Sequence, residues 1–241
     1  MRRLAVLLLM AVIQHGCAAL ARGPEADYDL TFRPVPGMRL AYDVTVEGSA
    51  AGQRARQSLT KVIRIVAADA DAYSVRFAVN GSEAPYLVIL NWAGTVKSVT
   101  PDGGTSPSPT PEQMAEAATL SAWATSGASS APWRIGATRE MTVNVPSGDA
   151  KGSRVTMRTT LRRLTTLARR PAAELTFDGT GTIPSAGAPI TMRFTGTQWT
   201  DLRTGALLLS TITGDGSATD GAFRVQMTVE ERLNISASTG L

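Results

Sequence analysis

Stretch after stretch of this chain alternates apolar with polar residues, one for one. The cleanest is Phe223, Val225, Met227 and Val229, interleaved with Arg224, Gln226, Thr228 and Glu230. Leu40, Tyr42, Val44 and Val46 alternate with Ala41, Asp43, Thr45 and Glu47. Val75, Phe77 and Val79 repeat the pattern, as do Met141, Val143 and Val145, and then Ile190, Met192 and Phe194. Successive strand side chains point to opposite faces, so period two marks strands with one face in a core and the other in water. An antiparallel sheet is the arrangement that keeps such a wet face. Asn80-Gly81, directly after Val79, supplies the residues a tight hairpin needs.

One stretch departs from alternation. "YLVILNW" (86 to 92) is apolar at nearly every position, which predicts a strand covered on both faces. One helix is available as a cover. Thr110 is placed as N-cap, Pro111 at the first helical position and Gln113 where a capping box has its amide. Met114, Ala117, Leu120 and Trp123 follow at three-residue spacing, and Gly127 can end the helix. The Pro/Gly/Ser-rich run 101 to 111 before it reads as a connector. The flanking halves resemble each other: "GMRLAYDVTVEG" from Gly37 parallels "GATREMTVNVPSG" from Gly136, with Ile65 and Leu164 at the same offset. The fold expected is mainly β (α+β): a curved antiparallel sheet or unclosed half-barrel from two β-meanders, with the helix against its concave face. The division is 1–21 as a signal peptide and 22–241 as one β-rich domain. Within it 28–100 is the first meander, 101–131 the connector and helix, and 132–236 the second meander.

Arg2 and Arg3, the apolar run Leu4 to Ile13 and the small residues after it have the layout of an export signal. The run is too short to span a bilayer, which takes about 20 apolar residues, and no transmembrane span is expected elsewhere. Two processing sites compete. Ala19-Leu20-Ala21 fits the A-x-A rule and leaves Arg22 as the N-terminus of a periplasmic or secreted protein. Gly16-Cys17 matches the last two places of a lipobox, which would make Cys17 a lipid anchor to the membrane. Gln14 and His15 occupy the places where a lipobox has an aliphatic and a small residue.

His15 and Cys17 are the only histidine and cysteine in 241 residues. The first leaves with either cut and the second with the A-x-A cut. A chain without them has no thiol nucleophile, no imidazole base and no His or Cys ligands for a metal. No disulfide supports it, so its stability rests on an apolar core. No cofactor is called for. Of the formal charge of +4, two units leave with Arg2 and Arg3. With 5% aromatic residues, scattered along the chain, there is no basic and aromatic stripe of the kind nucleic acid requires.

The remaining candidates for chemistry are acids. Asp69 and Asp71 fit a solvated turn, and adjacent Glu230 and Glu231 point to opposite faces of a strand. "GTGT" (179 to 182) and "GDGSATDG" (214 to 221) read as hairpin turns, since no helix follows either to cradle a phosphate. Arg163 interrupts the apolar face of Val155, Met157 and Leu161, so Arg162 and Arg163 mark a bulge or a guarded edge. Their functional alternative is contact with an anionic headgroup or an acidic partner. Trp133 and Trp199, at strand entrances, read as core or rim anchors with satisfied N–H groups. Their alternative, with Leu120 and Trp123, is to line a ligand cavity.

Arg134-Ile135-Gly136 before one strand, and Asp201-Leu202-Arg203-Thr204-Gly205 before a late one, complete a layout of signal, meander, helix and second meander. In this it resembles the lipoprotein-carrier superfamily of bacterial envelopes, of the LolA, LolB, LppX and RseB type, and related exported domains. The resemblance implies an unclosed barrel with helices on its apolar concave face, and acyl chains as ligands. Three functions follow as expectations. The first is a non-enzymatic envelope protein binding an apolar or lipid-like ligand. The second is a protein-interaction or envelope-structural module with a filled core. The third is a carboxylate-dependent hydrolase with two acids about 5 to 10 Å apart.

Overall fold

The computed structural model describes residues 27–50, 52–84, 86–92, 96–101, 132–145, 153–183, 190–218 and 221–232. The alternating stretches are all strands. In chain order they are β1 (Arg39–Ala50), β2 (Gln53–Ala68), β3 (Ala72–Val79), β4 (Ser82–Glu83), β5 (Tyr86–Asn91) and β6 (Val96–Pro101). Then come β7 (Thr138–Val145), β8 (Ser153–Leu167), β9 (Arg170–Ile183), β10 (Ile190–Asp201), β11 (Leu207–Ala218) and β12 (Gly221–Glu231). All belong to one antiparallel sheet in the order β6-β5-β3-β2-β1-β12-β11-β10-β9-β8-β7, with β4 beside β3. The last strand pairs with the first, Val44 opposite Val229. Setting β4 aside, every strand pairs with its chain neighbours except β6 and β7. The sheet is therefore the ring of an up-and-down barrel, left unclosed between β6 and β7. The described residues contain no helix, and the expected helix over 110–127 lies outside them.

Alternation assigns the faces. Leu40, Tyr42 and Val44 on β1, Ile63 and Ile65 on β2, and Val225, Met227 and Val229 on β12 point inward and are buried. One apolar cluster runs without a break from Val99 on β6 to Val155 and Met157 on β8. A second, around Tyr28, Leu30, Trp133, Leu161 and Leu175, is tied down by backbone hydrogen bonds of 2.7 Å in both directions between Tyr28 and Trp133. A sheet of this width cannot stay flat. Bulges at Ile65/Ala67 and Leu161/Arg163 bend it. Glycines opposite phenylalanines bend it further: Gly179 faces Phe194, Gly196 faces Phe177 and Gly216 faces Phe223. The outer face is polar. One row of hydroxyls crosses eight strands in register: Thr138, Thr160, Thr176, Thr197, Thr211, Thr228, Thr45 and Ser58.

Several expectations change on this frame. "GTGT" is not a turn but the end of β9, where Gly179 makes room for the Phe194 ring. "YLVILNW" is covered unequally: Tyr86, Val88 and Leu90 are buried, whereas Leu87 and Ile89 on the other face are half-buried. The internal repeat is visible in the turns that lead into β1 and β7. Met38 N donates to Val35 O and Ala137 N to Arg134 O, each at 2.9 Å around a positive-φ glycine, Gly37 or Gly136. Those glycines bond Ile65 and Leu161, so Ile65 corresponds to Leu161, not to Leu164. The second hairpin is simply three residues shorter between these points.

Candidate functional site

The inner face is apolar apart from buried Thr159, Gln198 and Ser210 and one line of ionisable groups. β2, β1 and β12 place Lys61, Tyr42 and Glu231 directly opposite one another. Period two in "SLTKVIRIV" forces Lys61 inward with Leu59, Ile63 and Ile65. It is buried to 1% exposure, with its ammonium 5.0 Å from the centre of the Phe77 ring. Burial holds its pKa well below the ordinary lysine value. Tyr42 is fully buried, and its hydroxyl has no hydrogen-bond partner; Tyr73, further along the face, is in the same condition. Burial, reinforced by the Glu231 charge, pushes the Tyr42 phenol well above its usual range.

At the end of this line Arg170 joins two carboxylates. Its Nε donates to Asp201 Oδ2 at 2.6 Å, and its Nη1 donates to Glu231 Oε2. Asp201 Oδ1 accepts the backbone N–H groups of Arg203 at 2.7 Å and Thr204 at 3.0 Å, capping the turn before β11. The environments of the two acids differ accordingly. Burial raises the pKa of Glu231 despite Arg170. Burial also works against ionised Asp201, but the two N–H groups and Arg170 hold its pKa below the usual carboxylate range. Both oxygens of Asp201 are occupied. The cluster acts as a staple between the start of β9, the end of β10 and the end of β12.

Among the described residues, those singled out from the sequence do not converge. Leu120, Trp123 and Cys17 lie outside the described residues. Trp133 is buried at 2% exposure in the second cluster, under the guanidinium of Arg139 at 4.3 Å. Its Nε1 has no hydrogen-bond partner, contrary to the expected satisfied N–H. Trp199 is half-buried and belongs to the outer face, five positions after inward Phe194. The two tryptophans therefore do not share a cavity wall. Arg162 is the exposed residue of the β8 bulge, and Arg163 pairs with Glu174 at 2.8 Å on the outer face. Asp69 caps its own turn, accepting from the N–H groups of Asp71 and Ala72. Among the described residues no three His, Cys, Asp or Glu side chains gather closely enough for a metal. No helix among them is long and apolar enough to cross a membrane.

No family model and no curated protein matches the chain. Among solved structures it is similar to the hypothetical lipoprotein YmcC of Escherichia coli, at 14% identity and a TM-score of 0.33, over 81% of this chain and 88% of that one. It is also similar to an inferred exported protein of Bacteroides fragilis with a YmcC-like fold, at 9% identity and a TM-score of 0.34, over 84% and 98% of the two chains. An inferred lipoprotein of Parabacteroides distasonis matches at 12% identity and a TM-score of 0.34, over 85% and 100%.

Proposed function

We propose that the chain is an exported, non-enzymatic envelope protein, one domain over residues 22–241, that serves as a protein-interaction module built on a filled core. The observation carrying this reading is the burial of the inner face. Val88, Val75, Ile63, Val44, Val229, Ile212, Met192 and Met157, spread over eight strands, expose 3% or less. Side chains exposed so little fit a filled core better than an open site for an acyl chain, since ligand pockets of drug size take some 300–1,000 Å³. Recognition then falls to the polar outer face, where Arg162 and Arg163 are the contacts proposed for an acidic envelope partner. Photo-crosslinkers placed in cells at Thr211 and Thr228 should trap one and the same protein. Charge reversal at Arg162 and Arg163 should abolish the capture. No common product from the two positions, or capture indifferent to the reversal, would count against the reading.

A second reading, an apolar or lipid-like ligand with an acidic head, is favoured by Lys61 and the Tyr42 and Tyr73 hydroxyls within the apolar wall. It would place the head at Lys61 and the chain along the inner face, with Leu120 and Trp123 as further lining. The hydrolase reading has Asp201 and Glu231 as its acids. Their engagement by Arg170 and by the turn amides fits a staple better than an acid–base pair.

A further inference from the structure

The hairpin end of β1 and β2, together with the adjoining part of β12, forms a groove of about 490 Å³ on the outer face. Three arginines, Arg54, Arg56 and Arg224, line it. Register explains their convergence. Arg224, Ser49 and Arg54 stand opposite one another on β12, β1 and β2, and Gln226, Glu47 and Arg56 form the next row. Neighbouring strands lie about 4.7–4.9 Å apart, so Arg54 and Arg224 flank Ser49 with roughly 10 Å between their backbones. Asp215, outside the groove, forks the Arg224 guanidinium through Nε at 2.6 Å and Nη2 at 3.1 Å, which orients it and leaves Nη1 out of the fork. Arg54 has no carboxylate partner among the described residues. Glu47 is the one acid in the lining; it meets Arg56 at 3.1 Å with 51% and 67% of the two side chains exposed. A pair that exposed is worth little and exchanges readily for a stronger anion.

We propose that this groove binds a phosphate group carried on a larger molecule, clasped between Arg54 and Arg224 above the Ser49 hydroxyl. Guanidinium forks match pairs of phosphate oxygens, and a phosphate has enough oxygens to engage two forks and a hydroxyl together. A single carboxylate does not. A phospholipid headgroup and a soluble phosphate ester share this chemistry. The groove faces away from the inner wall, so the inference stands whether that wall is filled or takes a ligand, and its failure leaves the filled-core reading intact.

The test uses the processed full chain in two arms. One is co-sedimentation with phosphatidylglycerol/phosphatidylcholine vesicles against phosphatidylcholine alone, and the other is calorimetric titration with inorganic pyrophosphate. Arg54→Gln combined with Arg224→Gln should weaken binding at least tenfold, while Arg39→Gln, an exposed arginine at the far end of β1, should leave it within twofold. Binding in the vesicle arm alone identifies a headgroup at a surface, and binding of pyrophosphate identifies a soluble phosphate ester. Absence of binding in both arms overturns the proposal. So does an equal loss with Arg39→Gln, which would mark diffuse charge attraction. The arginines are exposed, and unchanged far-UV circular dichroism of the double variant separates lost binding from lost folding.

Discussion

Gly196→Ala puts the bent sheet to a direct test. A Cβ at Gly196 would lie 2.4 Å from the carbonyl oxygen of Thr211 and 2.3 Å from Cζ of Phe177. The ring can rotate away, but the carbonyl belongs to the neighbouring strand and is fixed by the ladder. Overpacking of this kind costs about 1–3 kcal/mol, and a backbone clash belongs at the upper end, about 3 kcal/mol. For a chain of this size each kcal/mol moves Tm by about 2–4 °C, so the melt should fall by about 6–12 °C. Gly48→Ala is the internal control. It lies on the same face of β1, and its Cβ would meet nothing closer than the Arg224 carbonyl oxygen at 3.8 Å. Alanine is the better strand residue there, by about 0.5–1 kcal/mol, so this variant should be as stable as the parent or more so. Combining Gly196→Ala with Phe177→Leu should recover only part of the loss, because the carbonyl contact remains. Thermal and urea unfolding monitored by tryptophan fluorescence give the values. If both glycine variants shift the midpoint alike, the close approach of these strands is wrong.

Lys61→Met should stabilise the protein at pH 7, since burial disfavours the ammonium and methionine is an apolar side chain of similar length. The folded state holds this proton less tightly than the unfolded chain does, so stability rises with pH between the depressed folded pKa and the unfolded value of about 10.4. The advantage of Lys61→Met should therefore shrink by pH 10 in denaturant melts, and a variant destabilised equally at both pH values would refute the placement of Lys61. Arg170→Ala should cost about 3–5 kcal/mol by leaving Asp201 and Glu231 uncompensated, measured by the same melts; a loss below 1 kcal/mol would contradict the staple. Tyr42→Phe removes a buried hydroxyl with no hydrogen-bond partner. It should be neutral or stabilising by up to about 1 kcal/mol, and a loss above 1 kcal/mol would reveal a partner for the hydroxyl.

What the sequence made legible is local. Period two located the β1, β3, β7, β10 and β12 strands, and on β1, β3, β10 and β12 the inward residues too, because burying one face leaves an apolar residue at every second place. Parity also held information that went unread. Lys61 shares parity with Leu59, Ile63 and Ile65, which places it inside, and Trp199 has opposite parity to Phe194, which places it outside. The pairing of Arg170 with Asp201 and Glu231 was not legible, since it depends on how far the β9 and β12 ends approach one another after the bulge beside Trp199. "GTGT" misled because glycine serves turns and ring-covered strands equally, and only the cross-strand neighbour Phe194 distinguishes them. Of the bulge and the guarded edge that Arg162 and Arg163 allow, the structure has the bulge, because Arg163 falls where the apolar parity of Val155, Met157 and Leu161 would continue.

The filled core is tested most directly by native mass spectrometry of the protein taken from its own envelope without detergent. One species at the mass of the processed chain is expected, unchanged by delipidating solvent, with Lys61→Met likewise free of any adduct. A bound species a few hundred daltons heavier, released by solvent and lost on Lys61→Met, would contradict it and establish the inner face as a ligand site.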